Sequence, residues 1–245
     1  MLPTLVFVFN GNAFGATTPS NNTQITADLL SRDGDKAIQM STPPIGSTVA
    51  FLSLAARIAS IADGQPIGLV GFSAGGSLAV RLSELPALHV KAVLNFYGPP
   101  DLQDWFSYHD GDYFAQYVTS HVALTSDFVA LMSGASQSQA FIVNAFGTND
   151  QNVVASVSTA SFERDFKHGQ VFTYPGPHGV SPLASPAAYD EFVEHLGLDK
   201  PSGGSSGSVH PGGTSSGSGH TGGAPGGTVP VPAPTPVIPS YWNAP

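Results

Sequence analysis

The sequence predicts an α/β fold, a mostly parallel sheet with helices on both of its faces. Three observations carry this expectation. Short apolar runs such as Leu5–Phe9 and Ile67-Gly68-Leu69-Val70 alternate with stretches of helical periodicity. The runs are nearly continuous in apolar residues, as strands covered on both sides require. In Gly71-Phe72-Ser73-Ala74-Gly75-Gly76, one run passes directly into a helical pattern, the setting in which a sharp strand-to-helix turn holds a serine out of the sheet.

The elements follow in order. Leu5–Phe9 is a strand, stopped by the turn residues Asn10-Gly11-Asn12. Thr26 caps a short helix through Leu30, and Asp33-Gly34-Asp35 turns the chain into a second strand at Lys36–Met40. Val49, Leu52, Ala56 and Ala59 recur at helical spacing behind a cap at Ser47 or Thr48, as far as Asp63-Gly64. The strand before Ser73 leads into a helix through Leu78, Leu82 and Leu85, ended by Pro86. Further strands are expected at Val90–Phe96, 140–146 and 170–174, with helices over 153–166 and Pro186–Leu196. Between the first two of these strands lies a lid-like, aromatic-rich segment, 99–139, with helical patterns near 113–118 and 128–132.

Composition narrows the function. The chain has 245 residues, and residues 1–199 suffice for one domain with a substantial interior. From 200 to 245, Gly, Ser, Pro and Thr dominate, a disordered tail in expectation, flexible first and stiffer in its proline block. A net charge of -9 with eight Lys plus Arg argues against nucleic acid as a partner. With no cysteine, disulfides and a thiol nucleophile are both excluded. The opening apolar run is too short for a membrane span. As it stands the chain carries no export signal and suits the cytoplasm, whereas a missing upstream segment would suit secretion. The sequon Asn21-Asn22-Thr23 does not decide between them.

A serine hydroxyl becomes a nucleophile when a base takes its proton and a carboxylate fixes that base's tautomer. Asp150, in Gly147-Thr148-Asn149-Asp150, follows the expected 140–146 strand; His178, in Gly176-Pro177-His178-Gly179, follows the next. Serine, acid and histidine thus occupy loops after three successive later strands. Asp150 also suits a helix cap or turn, with Asp127 and Asp165 as distant alternatives for the acid. His89, His121, His168 and His195 read as surface or packing residues. His109, near Asp110 and Asp112, reads as part of a polar loop, and the tail's His210 and His220 stand isolated; no metal or cofactor is expected. The developing oxyanion needs donors, for which the amide of Ala74 and one from the loop Gly11-Asn12-Ala13-Phe14-Gly15 are candidates, Asn12 ahead of Ala13.

Together these residues resemble the α/β-hydrolase superfamily, and within it the small esterases and lipases of the acetyl-xylan esterase and hormone-sensitive lipase-like groups. Gly71-Phe72-Ser73-Ala74-Gly75-Gly76 is similar to their nucleophile turn, Gly147-Thr148-Asn149-Asp150 to the acid turn, and Gly176-Pro177-His178-Gly179 to the histidine loop. The likeness covers about residues 5–196, with two departures. The loop after the first strand carries asparagines and an alanine where such enzymes have histidine and glycines. The first two strands of the fold are absent, since Leu5–Phe9 corresponds to the third, so an edge stands open to a partner through an unknown interface. The resemblance implies cleavage of a small-molecule ester through an acyl-serine intermediate. A serine peptidase of the same fold, and an inactive hydrolase-like binding protein, are the rival readings. Phe96, Tyr97, Trp105, Phe106, Tyr108, Tyr113, Phe114 and Tyr117 either line a cleft or pack the lid helices onto the sheet.

Overall fold

A computed structural model of the chain describes residues 4–197, so the expectations for the tail lie outside the described residues. The strands are β1 (Leu5–Phe9), β2 (Lys36–Met40), β3 (Ile67–Phe72), β4 (Val90–Phe96), β5 (Phe141–Gly147) and β6 (Gly169–Tyr174). They form a six-stranded sheet in the order β2-β1-β3-β4-β5-β6, and every neighbouring pair is parallel. The helices are α1 (Asn21–Arg32), α2 (Thr48–Ala62), α3 (Ala74–Leu82), α4 (Leu102–Tyr108), α5 (Tyr113–His121), α6 (Ser126–Leu131), α7 (Ala155–Asp165) and α8 (Pro186–Leu196).

Strand β1 shows why its run is unbroken. Leu5, Phe7 and Phe9 enter one core with residues of α2, α3, α7 and the 99–139 segment; Val6 and Val8 enter the other with Leu30 of α1 and Phe192 of α8. Both faces are buried, so both side-chain sets are apolar. The chain builds β2 on one side of β1, then crosses back to add β3 on the other. The crevice above β1 and β3 is the topological switch point, where open α/β sheets place their ligands.

Several elements depart from expectation, each for a local reason. Helix α1 begins at Asn21, because Ser20 and Thr23 form a reciprocal capping box; Thr26 lies inside it and donates to the Asn22 carbonyl at 2.9 Å. The sequon is therefore helical. In α2 the cap at Ser47 holds, but the buried stripe is Phe51, Leu54, Ala55, Ile58 and Ala62, while Val49 and Leu52 are 75% and 49% exposed. Two apolar registers coexist in that helix, and contact with the sheet selects one. Helix α3 stops at Leu82, short of Leu85, with a 3-10 turn over Pro86–Leu88. Helix α4 was not evident in the sequence; Asp101 caps it, accepting from the Asp104 amide at 2.9 Å. Among the described residues no helix is long and apolar enough to cross a membrane.

Candidate active site

Ser73 stands between β3 and α3 with φ 52 and ψ -130, a conformation that costs a residue with a side chain about 1–3 kcal/mol. Surrounding structure holds it there. Its amide bonds the Phe96 carbonyl at the end of β4 (2.9 Å), and its carbonyl accepts from Gly76 (2.7 Å) and Ser77 (3.2 Å). Gly71 admits no side chain, since a Cβ there would lie 2.1 Å from the Gly75 carbonyl oxygen. The turn can close only around a bare backbone.

The other loops are stitched to the same edge. Tyr97 after β4 bonds the Ala145 carbonyl (2.9 Å), Thr148 after β5 bonds Tyr174 (2.9 Å), and Asn149 bonds Gly176 (3.1 Å). The pairing of the sheet thus runs on past its strands, and it brings Ser73, Asp150 and His178 together. His178 Nε2 lies 2.9 Å from Ser73 Oγ, and His178 Nδ1 lies 2.8 Å from Asp150 Oδ2. Burial is graded along this row. The Asp150 side chain is fully buried, His178 is 7% exposed and Ser73 is half-buried, so the hydroxyl is the member open to a substrate.

The two readings of Asp150 turn out to be compatible. Oδ1 accepts from the amides of Asn152 (2.9 Å) and Val153 (2.8 Å), which fixes the turn, and Oδ2 is left for the imidazole. Asp127 instead lies in the first turn of α6, held below the usual carboxylate range chiefly by the Thr125 hydroxyl. Asp165 pairs with Arg164, which also pairs with Asp101 and Asp104. That carboxylate trio has the spacing of a cation site, and the Arg164 guanidinium is ion-paired with all three of its members.

Of the oxyanion candidates, Ala74 is the first residue of α3, where helical amides have no carbonyl within the helix to bond. The loop after β1 presses on the serine, for a Cβ on Gly11 would lie 2.5 Å from Ser73 Cβ. Asn12 comes next; its side chain donates to the Ala16 carbonyl and its carbonyl accepts from Gly15. Ala13 and Phe14 follow with φ 45 and 63, and Phe14 turns into the core against Phe128.

Several further residues support this row. Asn22 of α1 donates to Tyr97 Oη (3.1 Å) and to the Val180 carbonyl (3.2 Å), fastening the loop beyond His178. Burial pushes the Tyr97 phenol above its ordinary range, and its ring meets the His178 ring at 4.7 Å between centroids. Asn95 and Asn144 face each other in register on β4 and β5, joined at 2.8 Å, and Asn95 also bonds Gly98 through both its carbonyl and its amide. The available signal was a polar residue interrupting each of two apolar strands. His109, expected in a polar loop, is 2% exposed, with both ring nitrogens hydrogen-bonded. Among the aromatic residues, Phe96 and Trp105 are buried in packing, and Tyr108 and Tyr113 are exposed.

Comparison with known proteins agrees with this architecture. A truncated form of a carbohydrate esterase from gut microbiota superposes with a TM-score of 0.61 at 17% identity, covering 79% of this chain and 86% of that one. A carboxylesterase from Lactobacillus plantarum gives 0.61 at 17% identity over 81% and 88% of the two chains. Acetyl xylan esterase 1 from Thermoanaerobacterium gives 0.55 at 16% identity over 78% and 74%. At such identities the likeness is one of fold. No curated protein matches the sequence. The sequence profile of the Dienelactone hydrolase family matches residues 14–179. Since that match runs over most of the described chain, from the turn after β1 to the loop that carries His178, the protein belongs to the dienelactone hydrolase family, within the α/β-hydrolase superfamily, and is a carboxylic ester hydrolase.

Proposed function

We propose that ester cleavage runs through an acyl-serine intermediate, with Ser73 as nucleophile, His178 as base and Asp150 as the carboxylate that orients it. The observation that carries this reading is the unbroken row Ser73 Oγ, His178 Nε2, His178 Nδ1 and Asp150 Oδ2, with contacts of 2.9 and 2.8 Å. Asp150 holds the Nδ1 proton, which leaves a lone pair on Nε2 for the serine proton. Ser73 attacks the ester carbonyl; the imidazolium then protonates the departing alcohol, and afterwards the imidazole activates water against the acyl-enzyme. The amides of Ala74 and Asn12 receive the oxyanion, with Ala13 as the substitute for Asn12. Contact of Gly11 with the serine favours Asn12.

The substrate in this proposal is a small carboxylic ester. The carbohydrate and acetyl xylan esterases of like fold favour a short acyl group on a sugar or comparable alcohol. Residues 1–199 act as the catalytic domain, with 99–139 bordering the site and 200–245 appended to it.

The test compares hydrolysis of p-nitrophenyl acetate and of a peptide p-nitroanilide by the parent and by Ser73→Ala. Expected are turnover of the ester alone, its loss by at least about a thousandfold in the variant, and an unchanged melting temperature. Parental ester turnover by Ser73→Ala would overturn the proposal. Amide turnover in its place would make the protein a peptidase, and a parent with neither would make it a hydrolase scaffold without this chemistry.

A further inference from the structure

The carbonyl of Asn152 receives two side chains from α4 and its C-terminal cap. Trp105 Nε1 donates to it at 2.6 Å, and His109 Nε2 lies 2.8 Å from it. A carbonyl oxygen can only accept, so His109 carries hydrogen on Nε2. The two residues stand four apart and therefore on one side of the helix, their rings 4.8 Å between centroids. On the far side of His109, Nδ1 meets Asp112 Oδ2 at 2.6 Å. Asp112 in turn caps α5, its Oδ1 accepting from Phe114 and Ala115. Burial acts on its carboxyl first and upward, but His109 and those amides outweigh it and hold the group below the usual carboxylate range.

What Asn152 does with its other end gives this arrangement its meaning. Its amide, with that of Val153, is what holds Asp150 Oδ1. A continuous line of hydrogen bonds therefore runs from Asp112 through His109 and the 152 turn to Asp150, and from there to His178 and Ser73. Packing alone does not call for an imidazole in this place. A phenyl ring would fill a site bounded by Trp105, Tyr108 and Phe114 without burying a polar ring that must be bonded on both sides.

We propose that His109 is a positioning residue for Asp150. By fixing the Asn152 carbonyl it sets the plane of the turn whose amides hold Oδ1, and so it aims Oδ2 at the histidine. This rests on the assignment of Asp150 made above, and it gives segment 99–139 a part in the chemistry beyond covering the sheet.

The test uses His109→Asn and His109→Gln in the full chain. The amide of asparagine overlays Nδ1 and keeps Asp112 but falls short of Asn152, whereas the amide of glutamine takes the place of Nε2. Expected with p-nitrophenyl acetate is a fall in kcat of about tenfold for His109→Asn at nearly constant KM, with His109→Gln within about threefold of the parent. The proton NMR signal of His178 Nδ1, far downfield while Asp150 accepts it, should move upfield in the asparagine variant and stay in the glutamine one. Equal kcat in the two variants, or an unmoved His178 signal in His109→Asn, would overturn the proposal. The NMR comparison needs no turnover. A parent inactive on esters therefore refutes the assignment of function, while the NMR result independently decides the role of His109.

Discussion

Replacing Asp150 with asparagine changes one atom's chemistry and almost nothing of shape, and the structure dictates how the new side chain must lie. Oδ1 is held by two amides at 2.9 and 2.8 Å, so the asparagine carbonyl stays in that place. The reverse orientation would set an NH2 against two N–H donors and forfeit both bonds, at about 1 kcal/mol or more each. The asparagine NH2 therefore lands where Oδ2 was, 2.8 Å from His178 Nδ1, and donates to it. Nδ1 must then be the lone pair and Nε2 the N–H, which faces Ser73 Oγ at 2.9 Å with no capacity to take its proton. The wrong tautomer costs about 10³ to 10⁴ in kcat, roughly 4–5.5 kcal/mol of transition-state stabilisation. Steady-state kinetics on p-nitrophenyl acetate, beside a thermal melt expected to change little, would measure it. Retention of more than about a tenth of parental kcat by folded Asp150→Asn would refute the reasoning.

Two further perturbations probe the surroundings. Gly11→Ala would place a Cβ 2.5 Å from both Ser73 Cβ and the Phe72 carbonyl oxygen, so serine and loop must separate by roughly 1 Å. A loss of about 10- to 100-fold in kcat is expected with about 1–3 kcal/mol of stability, and an unimpaired Gly11→Ala enzyme would dissociate the Asn12 loop from catalysis. Asp35 concerns stability alone. Burial, opposed by the Thr4 amide and reinforced by Asp33, pushes its carboxyl up to about 6, and its Oδ2 has no partner. A raised carboxylate pKa means that the folded state binds the proton more tightly, so stability falls as pH rises from about 4 through 6. Asp35→Asn keeps the acceptor for Thr4 and removes that penalty. Its melting temperature should match the parent near pH 4 and exceed it near pH 8; parallel melting curves across that range would contradict the assignment.

Particular residues show what could be read before any tertiary contact was known. The strand limits of β1 were legible because turn residues bound a short apolar run, and Ser73 stands out because a sharp strand-to-helix turn needs small residues beside it. Asp150 and His178 stand out as candidates because each lies in the loop after a strand. The buried face of α2 was not, since Val49 and Leu52 are as apolar as Phe51 and Leu54, and only the position of the sheet separates them. Nor was the start of α1, where Ser20 and Thr26 are both acceptable caps and the reciprocal bond with Thr23 decides. The burial of His109 has no local signal because its partners stand on different elements, Asp112 nearby but Asn152 beyond β5 in the chain.

The amino-acid order by itself determined the class of fold, the succession of strands and the candidates for serine, histidine and carboxylate, because each of these is written in local pattern: periodicity, turn chemistry and the loop after a strand. Tertiary structure alone decided which helix face is buried, which amides hold Asp150 and how Asn22, Tyr97 and His109 brace the loops. These are contacts between segments far apart in the chain, and their energies depend on distance and burial, which no local pattern of residues encodes.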